Sequence, residues 1–172
     1  MRAGTLAILI TAHAGSSASD EALEAGAWQV LAKPVQMPTL LGLLEQARRQ
    51  PLVLVVDDDR DLCENLWQIL RERSYRVALA HDTVGAAEQL RDAAFHIVLI
   101  DMKLPGGDGS DVFRMVRESD SGIRTILVTG FRPEMNTLVE RMLQDGADAA
   151  CYKPLDVPQL LDTLDRLAKA SG

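Results

Sequence analysis

Aromatic side chains make up only 4% of the 172 residues, so any core this chain builds has to be aliphatic. Cysteine is almost missing. The two present, Cys63 and Cys151, fall in apolar-periodic segments at no metal-like spacing, which excludes a disulfide framework and a cysteine zinc site. Both read as free core thiols in a reducing compartment. Basic residues are outnumbered, 18 Lys and Arg against 25 Asp and Glu, and the formal net charge of −7 argues against broad attraction to nucleic acid or anionic lipid. No apolar run approaches the ~20 residues of a membrane span. The stretch from Leu6 to Ile10 is too short for a secretory signal, so the expected setting is the cytoplasm, with no membrane partner. The three histidines, His13, His81 and His96, are isolated and read as filler rather than phosphocarriers or metal ligands. Gly106-Gly107-Asp108-Gly109 is not followed by the Gly-Lys-Ser/Thr of a phosphate-cradling loop.

What is present is the composition of a globular protein: 47% hydrophobic, 25% charged, mean hydropathy zero. The length fits one domain of about 100–150 residues plus an extra piece. Self-comparison finds a repeat at offset 120. Gly26-Ala27 answers Gly146-Ala147, Lys33-Pro34 answers Lys153-Pro154, and Pro38 answers Pro158. Leu40, Leu41 and Leu44 answer Leu160, Leu161 and Leu164. Upstream, Ile8 to Thr11 resembles Ile126 to Thr129 at offset 118, an indel suited to a surface connection. Residues 52–124 have no counterpart, so the chain reads as a tail, 1–50, followed by a whole, 51–172.

In the whole copy, short apolar runs alternate with helical spacing, the pattern of βα units around a parallel sheet. Strands are predicted at 52–56, 75–79, 96–100, 124–128 and 149–152. Helical spacing joins Leu62, Leu66, Ile69 and Leu70, and then Val112, Met115 and Val116. It recurs in Leu138, Met142 and Leu143, and in Leu160, Leu161, Leu164 and Leu167, within an expected five strands and five helices. Pro105 to Gly109 is a turn-rich break after the third strand. In the tail, strands are predicted at 6–10 and 28–31 and helices at about 17–25 and 36–49.

Open parallel sheets place ligands at the carboxyl ends of their strands, and polar residues collect there. The first strand ends in Asp57-Asp58-Asp59, the third in Asp101, the fourth in Thr129 and the fifth in Lys153-Pro154. Gathered carboxylates repel, and a hard divalent cation relieves them. Magnesium takes one or two carboxylates and keeps waters, which suits Asp58 and Asp101, with Asp57 acting through water. A phosphorylated carboxylate needs donors for its terminal oxygens, and Thr129 and Lys153 supply a hydroxyl and an ammonium. Taken singly, each residue has a plainer reading. Asp57 to Asp59 could be a helix cap cluster, Asp101 a turn former, and Thr129 a structural strand end.

The order Asp-Asp, Asp, Thr, Lys-Pro at 57–58, 101, 129 and 153 resembles the receiver domains of two-component signalling, over residues 51–172. The resemblance implies a doubly wound five-stranded parallel sheet of order 2-1-3-4-5, flavodoxin-like in topology. It implies Asp101 as phosphoacceptor, Asp57 and Asp58 as acid pocket, and the backbone carbonyl of Lys103 as a further magnesium ligand. The implied partner is a histidine kinase or a phosphotransfer protein. Three residues before the lysine, where receivers often carry an aromatic switch residue, stands Ala150; Tyr152 shares its strand face and could serve a related role. Lys103 and Phe131 lie where side chains could gate water.

Two further readings compete. An aspartyl-nucleophile phosphatase would need Asp-x-Asp-x-Thr, and Asp57 to Asp61 lacks the threonine. A pseudo-receiver would keep the fold as an interaction module without the chemistry. The tail has Thr11 and Lys33 but no acid pocket, and Asp20 is expected to cap a helix. An unpaired apolar edge at Ala7 to Ile10 predicts a homodimer through the tail, or its disorder. The truncated repeat suggests a fragment of a tandem-receiver or hybrid-kinase protein.

Overall fold

The structure is a computed structural model in which residues 4–12, 16–105, 107–130 and 133–170 are described. His13 and Phe131 lie outside those residues. The chain divides into two compact units, Met1–Gln50 and Pro51–Gly172.

The second unit is an α/β fold around one parallel sheet. Its strands are β3 (Leu52–Val56), β4 (Arg76–Ala80), β5 (Ile97–Asp101), β8 (Arg124–Gly130) and β9 (Ala149–Lys153), in spatial order β4-β3-β5-β8-β9. All four pairings are parallel, and the order is the 2-1-3-4-5 implied by the resemblance. Both β3 and β5 are buried at every residue, as strands covered by helices on both faces must be. That is why they read in sequence as unbroken aliphatic runs. The helices are α3 (Arg60–Glu72), α4 (Thr83–Asp92), α5 (Gly109–Ser119), α6 (Pro133–Gln144) and α7 (Val157–Lys169). Leu66 and Leu70 of α3 and Leu160, Leu161 and Leu164 of α7 close over Val53, Val55, Ile97 and Leu99 in an aliphatic core. Each buried leucine of this kind contributes roughly 2 kcal/mol.

Acidic caps set where helices begin on the strand-end side. Asp59, Asp82 and Asp156 each accept from a backbone N–H three residues on, and Asp108 accepts from Ser110 and Asp111. The break expected at 105–109 is therefore shorter than predicted. Lys103–Leu104 (β6) and Gly107–Asp108 (β7) pair as a small antiparallel hairpin, and Gly109 already belongs to α5. The Asp108 cap starts the helix inside the glycine run. Helix α4 had no predicted spacing of its own; Ala86 is its one buried residue among those described.

The first unit is a β-α-β-α piece: β1 (Ile8–Thr11), α1 (Ser16–Glu24), β2 (Gln29–Ala32) and α2 (Met37–Arg49). Its two strands pair in parallel as a two-stranded sheet. Asp20 lies inside α1 rather than capping a helix, because the helix already starts at Ser16. Several large apolar residues of this unit are exposed. Leu9, Ile10, Leu41 and Leu44 are 45, 42, 54 and 47% exposed, while their repeat partners Leu127, Val128, Leu161 and Leu164 are at most 6% exposed. Gly26 and Gly146 both have positive φ at the end of their helices, so the repeat extends to the backbone turn that only glycine makes cheaply.

Candidate functional site

The parallel register brings the chemistry-bearing residues to one end of the sheet. Asp57 directly follows β3, Asp101 closes β5, Thr129 lies near the end of β8 and Lys153 closes β9. Asp57, Asp101 and Thr129 are buried at 3, 5 and 2% exposure, whereas Asp58 is exposed. Two buried carboxylates side by side would be prohibitive without a cation. Lys153 supplies one: its Nζ donates to Asp57 Oδ2 at 2.8 Å and to Asp101 Oδ2 at 2.7 Å. The other carboxylate oxygens take backbone donors, Asp59 N to Asp57 Oδ1 at 2.9 Å and Lys103 N to Asp101 Oδ1 at 3.0 Å.

The balance among these groups is uneven. Burial pushes the Asp57 carboxyl above its ordinary range, and the hydrogen bonds from Lys153 and Asp59 only partly offset it. Burial opposes the charge on Lys153 too, but its hydrogen bonds to Asp101 and Asp57 outweigh that and hold it above its ordinary range. The asymmetry has a simple origin: one ammonium serves two carboxylates, so each carboxylate receives only a share.

Asp57, Asp58 and Asp101 each offer an oxygen, all within 4.8 Å of one another. All three donors are hard oxygens and one of them, Asp57, is under-compensated, so the set fits a hard divalent cation such as magnesium. The acid run divides between two places in the structure. Asp59 is the helix cap, accepting from Leu62 N at 3.0 Å, while Asp57 and Asp58 offer oxygens to the acidic cluster with Asp101. Tyr152 is 45% exposed and sits in register beside Thr129; Ala150 pairs with Leu127.

Three neighbours were not legible from the sequence. Gly109 packs so close that a Cβ there would lie 2.6 Å from the Asp101 carbonyl oxygen and 2.8 Å from Met102 Cα. Cys63 and His81 both reach the backbone carbonyl of Asp57. A glycine in a turn-rich run, a lone cysteine and a lone histidine carry no signal until the fold brings them to the pocket.

A family model for the response regulator receiver domain matches residues 53–165. This chain belongs to the response-regulator receiver family. It is 36% identical over 169 residues to the response regulator receiver protein Anae109_2439 of Anaeromyxobacter sp. (strain Fw109-5), covering 98% of this chain and 67% of that one. Its receiver superposes on a CheY-like receiver domain protein from Methanospirillum hungatei JF-1 with TM-score 0.65 and 27% identity, over 71% of this chain and 96% of the other. A response regulator from Burkholderia pseudomallei, described with a phosphorylated aspartic acid, a calcium ion and citrate, gives TM-score 0.61 at 26% identity over 70% of each chain. The chain spans two thirds of the first relative, and only a quarter of a longer transcriptional regulator that it matches. Among the described residues, no helix of this receiver protein is long and apolar enough to cross a membrane.

Proposed function

We propose that this receiver accepts a phosphoryl group on Asp101 from the phosphohistidine of a sensor kinase or phosphotransfer protein and changes conformation in response. The observation that carries the reading is the Lys153 ammonium bridging Asp57 and Asp101 at the carboxyl end of the sheet. A carboxylate oxygen of Asp101 attacks phosphorus, the O–P bond forms as the P–N bond breaks, and the departing imidazole nitrogen regains a proton from solvent. Hydrolysis returns Asp101 to a carboxylate and releases inorganic phosphate.

Magnesium, held by Asp57, Asp58, Asp101 and the Lys103 carbonyl, would neutralise charge that builds on the transferring phosphoryl oxygens. Lys153 holds the Asp101 carboxyl in place through its 2.7 Å contact, and its ammonium can pass to a phosphoryl oxygen once Asp101 is phosphorylated. Thr129 Oγ1 donates to the Gly130 carbonyl at 3.1 Å, a weak local bond that a phosphoryl oxygen could replace. The Burkholderia regulator, with its phosphorylated aspartic acid and calcium ion, supports this assignment by likeness. On this reading the domain is no enzyme for an external substrate, its pocket acting only on its own aspartyl group.

The test is intact mass after incubation with acetyl phosphate and magnesium. The expected result is a labile gain of about 80 Da that requires magnesium and is absent from Asp101→Ala. A parent chain that gains nothing overturns the reading in favour of a pseudo-receiver.

We also infer that residues 1–50 are the back half of a second receiver, from the matched strands, lysine-proline pairs and glycine turns of the two units. The first relative aligns with 98% of this chain, the first unit included, which supports a tandem or hybrid-kinase context. The exposed apolar residues of the first unit support self-association, and sedimentation velocity across concentrations checks it: a concentration-independent monomer counts against it.

A further inference from the structure

We propose that Cys63 and His81 together clamp the backbone carbonyl of Asp57 and thereby set the metal affinity of the pocket; this rests on the magnesium-dependent reading above. Asp57 is the residue after β3, where the ladder to β4 runs out. Its N–H still reaches the Ala80 carbonyl at 3.1 Å. Its own carbonyl is held by side chains: Cys63 Sγ donates at 3.3 Å and His81 Nδ1 lies at 3.0 Å. A carbonyl oxygen can only accept, so Nδ1 carries the proton and the imidazole is fixed in that tautomer. Protonated there, Nδ1 has no in-plane lone pair to accept from the thiol 3.8 Å away, and the thiol hydrogen also goes to Asp57.

The consequence runs through the peptide plane. The Asp57 carbonyl and the Asp58 nitrogen belong to one rigid unit, so holding the carbonyl fixes the direction in which Asp58 leaves the strand. Both pocket acids then keep their relative position without help from each other. The two donors come from different elements, Cys63 from α3 and His81 from the connection between β4 and α4. Neither touches the carboxylates, so both are positioning residues, acting on the ion through Asp57 and Asp58 as outer-sphere partners do.

The experiment titrates the full chain with Mn2+, a hard octahedral surrogate for magnesium, and reads free ion by electron paramagnetic resonance. The variants are Cys63→Ala, His81→Ala, Cys63→Ser and His81→Asn. The alanine variants are expected to bind Mn2+ about tenfold more weakly. Cys63→Ser and His81→Asn restore a donor and are expected to recover most of the loss. The rate of phosphoryl gain at saturating magnesium is expected to stay within about twofold, an affinity effect without a rate effect. Circular dichroism identifies any alanine variant that fails to fold, and the serine and asparagine variants then carry the test. If the parent binds Mn2+ and the folded variants bind it equally well, the clamp is overturned while the receiver reading stands. If the parent binds none, both fall.

Discussion

Asp57 carries electrostatic strain, because its carboxyl is buried and shares the Lys153 ammonium with Asp101. Its pKa is raised above the ordinary 3.8, so the folded chain holds this proton more tightly than the unfolded chain. That contribution to stability is complete below 3.8 and is lost as pH rises through the folded value. Lys153 is raised above 10.5, so its contribution persists below 10.5 and is lost as pH rises through its own folded value. Without divalent ion at about pH 7, Asp57→Asn is therefore expected to raise Tm by about 2–4 °C for each kcal/mol of relieved burial cost. Calorimetry checks this, and the gain should disappear at pH values below 3.8. Cys63 is a second residue-scale case. Burial, with Asp57 and Asp59 nearby, pushes its thiol up to about 12. Native Cys63 should resist iodoacetamide at mildly alkaline pH and react fully in denaturant, which peptide mass mapping can follow. Fast labelling of the native chain would contradict that burial. Asp57, Asp101, Thr129 and Lys153 were legible as a linear order of residue types; Cys63 and His81 were not, since their role is a contact with a backbone atom.

The third strand, its hairpin and α5 act as a single element around Asp101. Gly109 lets the first turn of α5 rest on the Asp101 carbonyl, with Gly109 N donating to Met102 O at 3.3 Å. A methyl group there meets backbone at 2.6 and 2.8 Å, where no flexible side chain can yield. Gly109→Ala is expected to cost about 1–3 kcal/mol in urea unfolding, against the modest gain that alanine brings to an unhindered helix site. Asp108→Ala should cost about 1 kcal/mol through loss of its cap bonds to Ser110 and Asp111. Strands β3 and β5 were predicted to within a residue, because a buried parallel strand has an apolar run of its own length. The β6–β7 hairpin was not, because two-residue strands have no periodicity to read.

At the scale of the whole molecule, the two units present one pattern with opposite outcomes. Leu161 and Leu164, which α7 buries in the core, correspond to Leu41 and Leu44, which α2 leaves exposed. Residues 51–172 contain every member of the site, so this segment alone is expected to accept phosphoryl from acetyl phosphate within about twofold of the full chain. A large loss on removing residues 1–50 would show that the first unit acts on the pocket.

The alternation of aliphatic runs and helical spacing determined the parallel α/β class, and the repeat at offset 120 marked residues 1–50 off from 51–172, where the chain divides into two units. Strand ends marked by Asp, Thr and Lys pointed to the candidate site, because ligand chemistry in such sheets collects at carboxyl ends. Only the tertiary structure decided which oxygens Lys153 bridges, how α5 closes on Asp101, and what holds the Asp57 carbonyl. Those are distances between atoms 52 to 96 residues apart or between side chain and main chain, and periodicity along a sequence carries no information about them.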